Sequence, residues 1–383
     1  VTGLCAAALV PLALVPGSAA AQSYSQFVRE ANANSVSIVS GLPGETSLDI
    51  ATDLSNVLHC VDGLRIVPMA GRGDSNNIYD LLFLRGVDMA IVRADVLDFI
   101  EQSRTYINDL KDKVAYIAPL FTQEVHLVVS DQINSLDDLN GKFVNMGAPG
   151  SLGLAARAVL EQAGVTVVES KFDNKLALER VIDGTLDGMF LVGGKPVPLL
   201  QQLGDVSGLK LLPLPALRGT SVYSAAQFSY DDYPDLVRAG DRVSTLAVPS
   251  VLAVYNWPAN HPRYAKNKAF TDALFERASY LRRPARHPKW QSVELTGDVP
   301  GWRRFSAAQE IVDRERARRP QTSPQAPRAT TVAATVQTQS EPKRSLEQLF
   351  DEQLQEYGIT PRSAAEREQL FLAFKRRVEA ANQ

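Results

Sequence analysis

From about Ser35 to Leu212, short runs of β-branched and aliphatic residues alternate with stretches whose apolar residues recur at helical spacing. Continuous apolar runs at 35–40, 64–69, 87–92, 125–129, 142–146 and 188–192 read as buried strands. Between them, Leu48, Ile50, Leu54, Val57 and Leu58 form one helical apolar face, and Ala155, Val159, Leu160 and Ala163 another. Strands that alternate with helices predict parallel sheet covered on both faces. After a less regular stretch, 244–255 predicts a further long strand and 264–281 a helix. Two α/β lobes account for this length of pattern.

The pattern breaks at both ends. Residues 4–21 are apolar, interrupted by Pro11 and Pro16, and end in Ala19, Ala20 and Ala21 before Gln22. That is the core and cleavage site of a secretory signal peptide over 1–21, and the two prolines and the short length argue against a membrane anchor. Residues 320–340 contain no aromatic, Leu or Ile, so they cannot bury enough surface to offset the entropy of ordering, and they predict a disordered linker. In the stretch 341–383, Ser345 with Gln348 and Ser363 with Glu366 fit capping boxes. Each opens an apolar stripe: Leu346, Leu349, Phe350 and Leu354, then Leu370, Phe371, Phe374 and Val378. A helical hairpin this small is marginal alone, so it predicts a second contact, with the body of the chain, another copy of the chain or another protein.

Composition narrows the function classes. A net charge of −3 and a pI near 5.9 give no cationic excess to hold nucleic acid. The only cysteines, Cys5 and Cys60, flank the expected cleavage site, which excludes a disulfide framework and a cysteine zinc site. Cys60 follows a helical apolar face and is expected to be buried. The histidines, His59, His126, His261 and His287, form no H-E-x-x-H pair, and His126 sits in an apolar run as a core histidine would. Ser151 lacks the flanks of a nucleophile elbow, and no dinucleotide or Walker fingerprint occurs. The residues therefore predict no catalytic group, no metal and no cofactor.

Binding chemistry has better candidates. Four predicted strand ends run into glycine turns, where free N–H groups at helix starts and close backbone approach suit a small ligand. In open α/β sheets ligands sit beyond the carboxyl ends of the strands. The candidate ligand-binding residues are Gly44, Thr46 and Ser47 in the first turn, and Asp74, Ser75 and Asn77 in the second. Gly150 and Ser151 follow in the third, Gly193, Gly194 and Lys195 in the fourth, with Arg93 and Asp95 at a further strand end. Thr46 and Ser151 could equally be helix caps, and loss of Asn77 is expected to cost little stability without ligand. Lys195 precedes Pro196 at an expected helix start, where a cation gains nothing from the macrodipole, so an outside anion or solvent accounts for it. Arg93 is either a ligand contact or the partner of Asp95, Asp74 or Glu124.

These segments together resemble a known family. Gly41-Leu-Pro-Gly-Glu-Thr46, Gly73-Asp-Ser-Asn-Asn77, Gly86 to Asp95, Glu124 to Val129, Ser135 to Lys142, Val144 to Ser151 and Gly184 to Pro196 follow the order and spacing of the TAXI-type solute receptors of TRAP transporters. The resemblance implies a two-lobed α/β type II periplasmic-binding-protein fold with hinge strands, over roughly three quarters of the chain. One lobe would comprise 22–123 and 244–319, the other 124–243. It implies an exported, periplasmic receptor, not an enzyme, that closes on a small, acidic organic solute, an amino acid or carboxylate, and delivers it to a TRAP-type membrane permease. The other readings are a receptor-like sensor acting through its tail and a biosynthetic enzyme of the same fold. Asp74 stands where the family commonly has Ser, and Arg93 where it has Gln.

Overall fold

The computed structural model describes residues 24–29, 32–104, 107–148, 151–204 and 208–318, with 367, 368, 371 and 375 as isolated helical positions. The expected leader, the expected linker and all but those four positions of 341–383, where a helical hairpin is expected, lie outside the described residues. In chain order the main elements are β1 (Ser35–Val39), α1 (Thr46–Leu58), β2 (Arg65–Met69), α2 (Asp74–Phe83), β3 (Met89–Arg93), α3 (Ala94–Ser103) and β4 (Val114–Ser130). Then come β5 (Phe143–Asn145), α4 (Leu154–Ala163), β6 (Val168–Ser170), α5 (Asn174–Ile182) and β7 (Gly188–Gly193). The last are β8 (Leu209–Leu211), β9 (Ser224–Ser229), β10 (Arg242–Tyr255), α6 (Pro262–Glu276) and α7 (Ser306–Arg318).

The strands lie in the order β2-β1-β3-β10-β4-β7-β5-β6, with β8 on β4 and β9 on β10. β1 pairs in parallel with β2 and β3, and β5 in parallel with β6 and β7. Among the described residues every antiparallel pairing involves β4 or β10, and each of these two is long enough to serve two halves of the molecule. β10 pairs with β3 through Ser250–Val254 and with β9 through Arg242–Ala247; β4 pairs with β7 from Glu124 onward. The β10–β4 register shifts between Pro249 and Val251, where the two halves meet. The α/β architecture is what the sequence pattern predicts and the shared strands are what the family resemblance implies, though β4 begins at Val114, well before the expected 125–129.

Each half has a layer of core on either face of its sheet, because neighbouring strand residues point to opposite sides. In the first half, Val36 and Ile38 pack with Ile50, Leu54 and Leu58 of α1 and with Phe270 and Trp290, while Val39, Ala90 and Val92 pack with Ile78 and Leu97. In the second half, Val125, Leu127 and Phe190 face α4 through Val159 and Leu160, while Val128, Met189 and Leu191 face α5 and Phe228. Asp53 of α1 accepts hydrogen bonds from His287 N (2.8 Å) and Trp290 Nε1 (3.1 Å), which ties the returning C-terminal segment to the first half.

His126 is a core histidine. Tyr233 Oη accepts from Val197 N (2.9 Å), so its own proton goes to His126 Nε2 (2.6 Å) and the imidazole Nδ1–H faces Leu191 O (3.3 Å). Burial pushes this imidazole down to about 3, so it is neutral. Cys60 departs from expectation: it is exposed, because α1 ends at Leu58 and the chain turns through a left-handed conformation at Cys60 (φ 66°).

Candidate functional site

The carboxyl ends of β1, β2, β3, β5 and β7 converge between the halves. There residues of the 41–47, 73–77, 146–148 and 151–154 segments wall a cavity of about 70 Å³. At roughly 10–15 Å³ per water, that is room on the order of five waters, and so for a small solute only. Ser47, Asp74, Ser75, Asn77, Arg93 and Ser151 all line it. An adjoining cavity of about 370 Å³ shares Glu45, Ser47, Gln123, Ala148 and Asn174 with the first and adds Gly44, Thr46 and Gly193. Nine of the thirteen candidate positions thus meet at one cleft. Gly150 lies outside the described residues.

The remaining three are close by but point elsewhere. Asp95 sits behind Arg93, accepting from its Nε (3.0 Å) and Nη2 (3.2 Å) and from Val96 N (2.9 Å). Gly194 O accepts from Thr46 Oγ1 across the cleft (3.3 Å). Lys195 turns away: its Nζ donates to Asp232 (2.9 Å) and to Gln227 O (2.6 Å). No helix starts at Lys195 either, since the nearest helical turn begins at Pro198. The cation expected to await an outside anion has its anion inside the protein.

Arg93 has the partners its alternative reading named. It pairs with Asp95 at 3.0 Å and with Asp74 Oδ2 at 3.5 Å, and is 6% exposed. Burial alone would lower the guanidinium, but the Asp95 and Asp74 carboxylates outweigh it and hold it above its ordinary value. Asp74 is pushed up to about 6, by burial first, with Asp95 and Glu45 adding to it and Arg93 opposing. Burial also raises Glu45, although its Oε2 accepts from Leu42 N at 3.0 Å.

Asn77 is 1% exposed, and its Nδ2 donates to Ser40 O (2.8 Å) and Ile91 O (3.3 Å), at the end of β1 and within β3. It therefore holds α2 to the sheet, which corrects the expectation that its loss would leave unliganded stability unchanged. Its Oδ1 has no donor. Gly71 makes this packing possible: a Cβ there would lie 2.1 Å from Ser40 O and 2.2 Å from Asn77 Oδ1. Ser151 Oγ accepts from Gly153 N at 3.2 Å, just before α4.

Three further contacts join the halves. Tyr223 Oη donates to Asp95 Oδ2 (2.7 Å), and burial together with the Asp95 charge raises this phenol, so it stays a donor. Glu124 accepts from Lys289 Nζ with both oxygens (2.6 and 2.8 Å) and from Lys195 N (2.7 Å). Gly194 lies so close to the opposite wall that a Cβ would stand 2.9 Å from Thr46 Cγ2 and 3.1 Å from Lys289 Cε.

Sequence reasoning missed Glu45, Gln123, Asn174, Tyr223 and Lys289. Glu45 was signalled, since it lies inside the first glycine turn; Lys289 and Tyr223 come from segments with no motif. Among the described residues, no three His, Cys, Asp or Glu side chains gather closely enough to hold a metal ion, and no helix is long and apolar enough to cross a membrane.

The chain is similar to several proteins of known structure. One is a periplasmic transporter (14% identity over 74% of this chain and 93% of that one, TM-score 0.46). Another is a TctC solute binding protein from Polaromonas (18% identity, 74% and 95%, TM-score 0.39). A third is a mutant of ArgBP from T. maritima (17% identity, 67% and 94%, TM-score 0.39). Residues 59–283, more than half of the chain, match the NMT1-like family, and the chain belongs to that family.

Proposed function

We propose that this protein is an exported solute receptor that binds without chemistry, closing its two lobes on a small organic solute and presenting it to a membrane permease of the TRAP type. The observation that carries the reading is the cleft itself: both halves wall it at their strand ends, and among the described residues only β4 and β10 run between the halves as strands. A pair of long strands can flex while each half keeps its own core, which is the arrangement of hinge closure. Lobes of 22–123 with 244–319 and of 124–243 follow from that hinge. The motif segments from Gly41 to Pro196 favour the TAXI subtype within this reading, and the expected leader over 1–21 favours export to the periplasm.

Closure gives a permease a shape by which to tell loaded from empty receptor. The bonds from Thr46 to Gly194 and from Tyr223 to Asp95 would form only when the halves meet.

The test uses the full chain equilibrated with a small-molecule cell extract, gel-filtered, and denatured for mass spectrometry. Wild type should retain a small molecule in stoichiometric amount, whereas Gly194→Trp, whose side chain occupies the contact with Thr46, should retain none. No enrichment by wild type, or equal retention by both, would overturn the receptor reading.

A further inference from the structure

The charge of the cleft carries a statement about its solute, and that statement rests on the receptor reading above. We propose that the solute bears an amine, taken up by Asp74 and Glu45 on the first-half wall, so that the receptor selects cationic or zwitterionic small molecules over plain carboxylic acids. Of the amino acid or carboxylate that the family resemblance implies, this keeps the first and drops the second.

The reason is an excess of acceptors. Arg93 is the cation on the cavity wall, and Asp95 already takes two of its N–H groups while Asp74 lies 3.5 Å from Nε. Glu45 lines the same wall and has only Leu42 N as a hydrogen-bond donor. Other cations near the turns are engaged elsewhere, Arg72 with Asp80 (2.9 Å) on the exterior, Lys195 with Asp232 and Lys289 with Glu124, while exposed Lys175 lies next to Asp173 on the second-half wall of the adjoining cavity, away from Asp74 and Arg93. Asn77, buried on the same wall, adds an acceptor without a donor, since both its backbone bonds use Nδ2 and Oδ1 is unpartnered. A buried acceptor and half-buried carboxylates in surplus call for donors and positive charge, which an ammonium group supplies and a carboxylate does not.

Helix starts at the cleft do not reverse this. α1 is preceded by Glu45 and α2 begins with Asp74, so each brings its own anion. α4 has no acidic residue in its first turn and no side-chain cap. The second-half wall can therefore accept the carboxylate of a zwitterion while the first-half wall holds its amine.

The test is calorimetric titration of the full chain with the common amino acids and diamines, each beside its amine-free counterpart, the 2-hydroxy acid or the diol. At least one amine should bind, its counterpart should bind at least tenfold more weakly, and Asp74→Asn should weaken the amine at least tenfold. Asp74→Asn keeps the Arg93–Asp95 pair, and its own melting curve reports whether it folds; Glu45→Gln, expected to act in the same direction, gives a second reading. Preference for the amine-free member of a pair, or no binding by any amine, overturns the inference. If the wild type still retains a small molecule from extract that Gly194→Trp does not, the receptor reading stands when this one falls.

Discussion

The two walls of the cleft are assembled alike, from strand ends that run into turns and open helices, yet they carry different chemistry. Around the smaller cavity the first-half wall presents Glu45, Asp74 and Arg93, with Asp95 behind, and the second-half wall presents Gly147, Ala148, Ser151 and Asn174, none of them charged, Asp173 and Lys175 facing the adjoining cavity instead. Recognition of the amine thus resides on one side, and the other side contributes shape, neutral hydrogen bonds and the α4 start that can take a carboxylate. A substitution on the charged wall should change both stability and solute choice, because each charge there is balanced against the others. A substitution on the neutral wall should change affinity with little effect on the fold.

The largest expected effect is at Arg93. Arg93→Met leaves buried Asp95 and half-buried Asp74 without their cation, and urea unfolding should show a loss of about 3–5 kcal/mol, the usual cost of breaking a buried pair on one side. Asn77→Ala should lose about 1–3 kcal/mol, because the carbonyls of Ser40 and Ile91 lose a buried donor. The contrast sharpens at Gly194, whose φ lies outside the left-handed region, so that alanine there is resisted by contact alone. Gly194→Ala should weaken solute binding tenfold or more, about 1.4 kcal/mol, with an unchanged melting temperature when no solute is present.

Acidification separates the walls as well. Asp74 titrates near 6 in the folded protein against an ordinary 3.8, so the native state binds the extra proton more readily. Its contribution to unliganded stability therefore increases as pH falls from about 6 towards 4, with Arg93, Asp95 and Glu45 the charges that face it. Asp74→Asn should be more stable than wild type at pH 7, and the difference should shrink towards pH 4 in matched urea titrations. His126 acts in the opposite direction: held neutral at about 3 against 6.5, it withdraws stability as pH falls below about 6.5 in both proteins, and so cancels in the comparison. The smallest effect is on the neutral wall, where Ser151→Ala should cost about 1 kcal/mol or less in unfolding and alter affinity by an ordinary hydrogen bond, about 0.5–1.5 kcal/mol.

How much of this was legible depended on whether the interaction was local. Strands such as β1 and β7 and the apolar face of α1 follow from period and propensity, because the residues that make them are neighbours in sequence. The glycine turns were legible for the same reason, and they do meet at the cleft. Lys195 was misread because its anion, Asp232, is supplied by a segment 37 residues away. Arg93 could be narrowed to three carboxylate partners but not to two, since the choice depends on how α2 docks beside β3. The latch of Glu124 with Lys289 spans 165 residues, and no spacing rule reaches that far. Cys60 illustrates the converse: an apolar stripe fixes the face of a helix but not the residue at which it ends.

The central claim, that the halves close on a solute held between them, is tested most directly by a distance. Dyes placed at exposed Phe83 of α2 and exposed Ile182 of α5, with Cys5 and Cys60 replaced by serine, would report separation of the halves by energy transfer. On addition of the small molecule that wild type retains from extract, the separation should shorten, and in Gly194→Trp it should stay long. Binding with no change in separation, or the same shortening in Gly194→Trp, would contradict closure around the cleft.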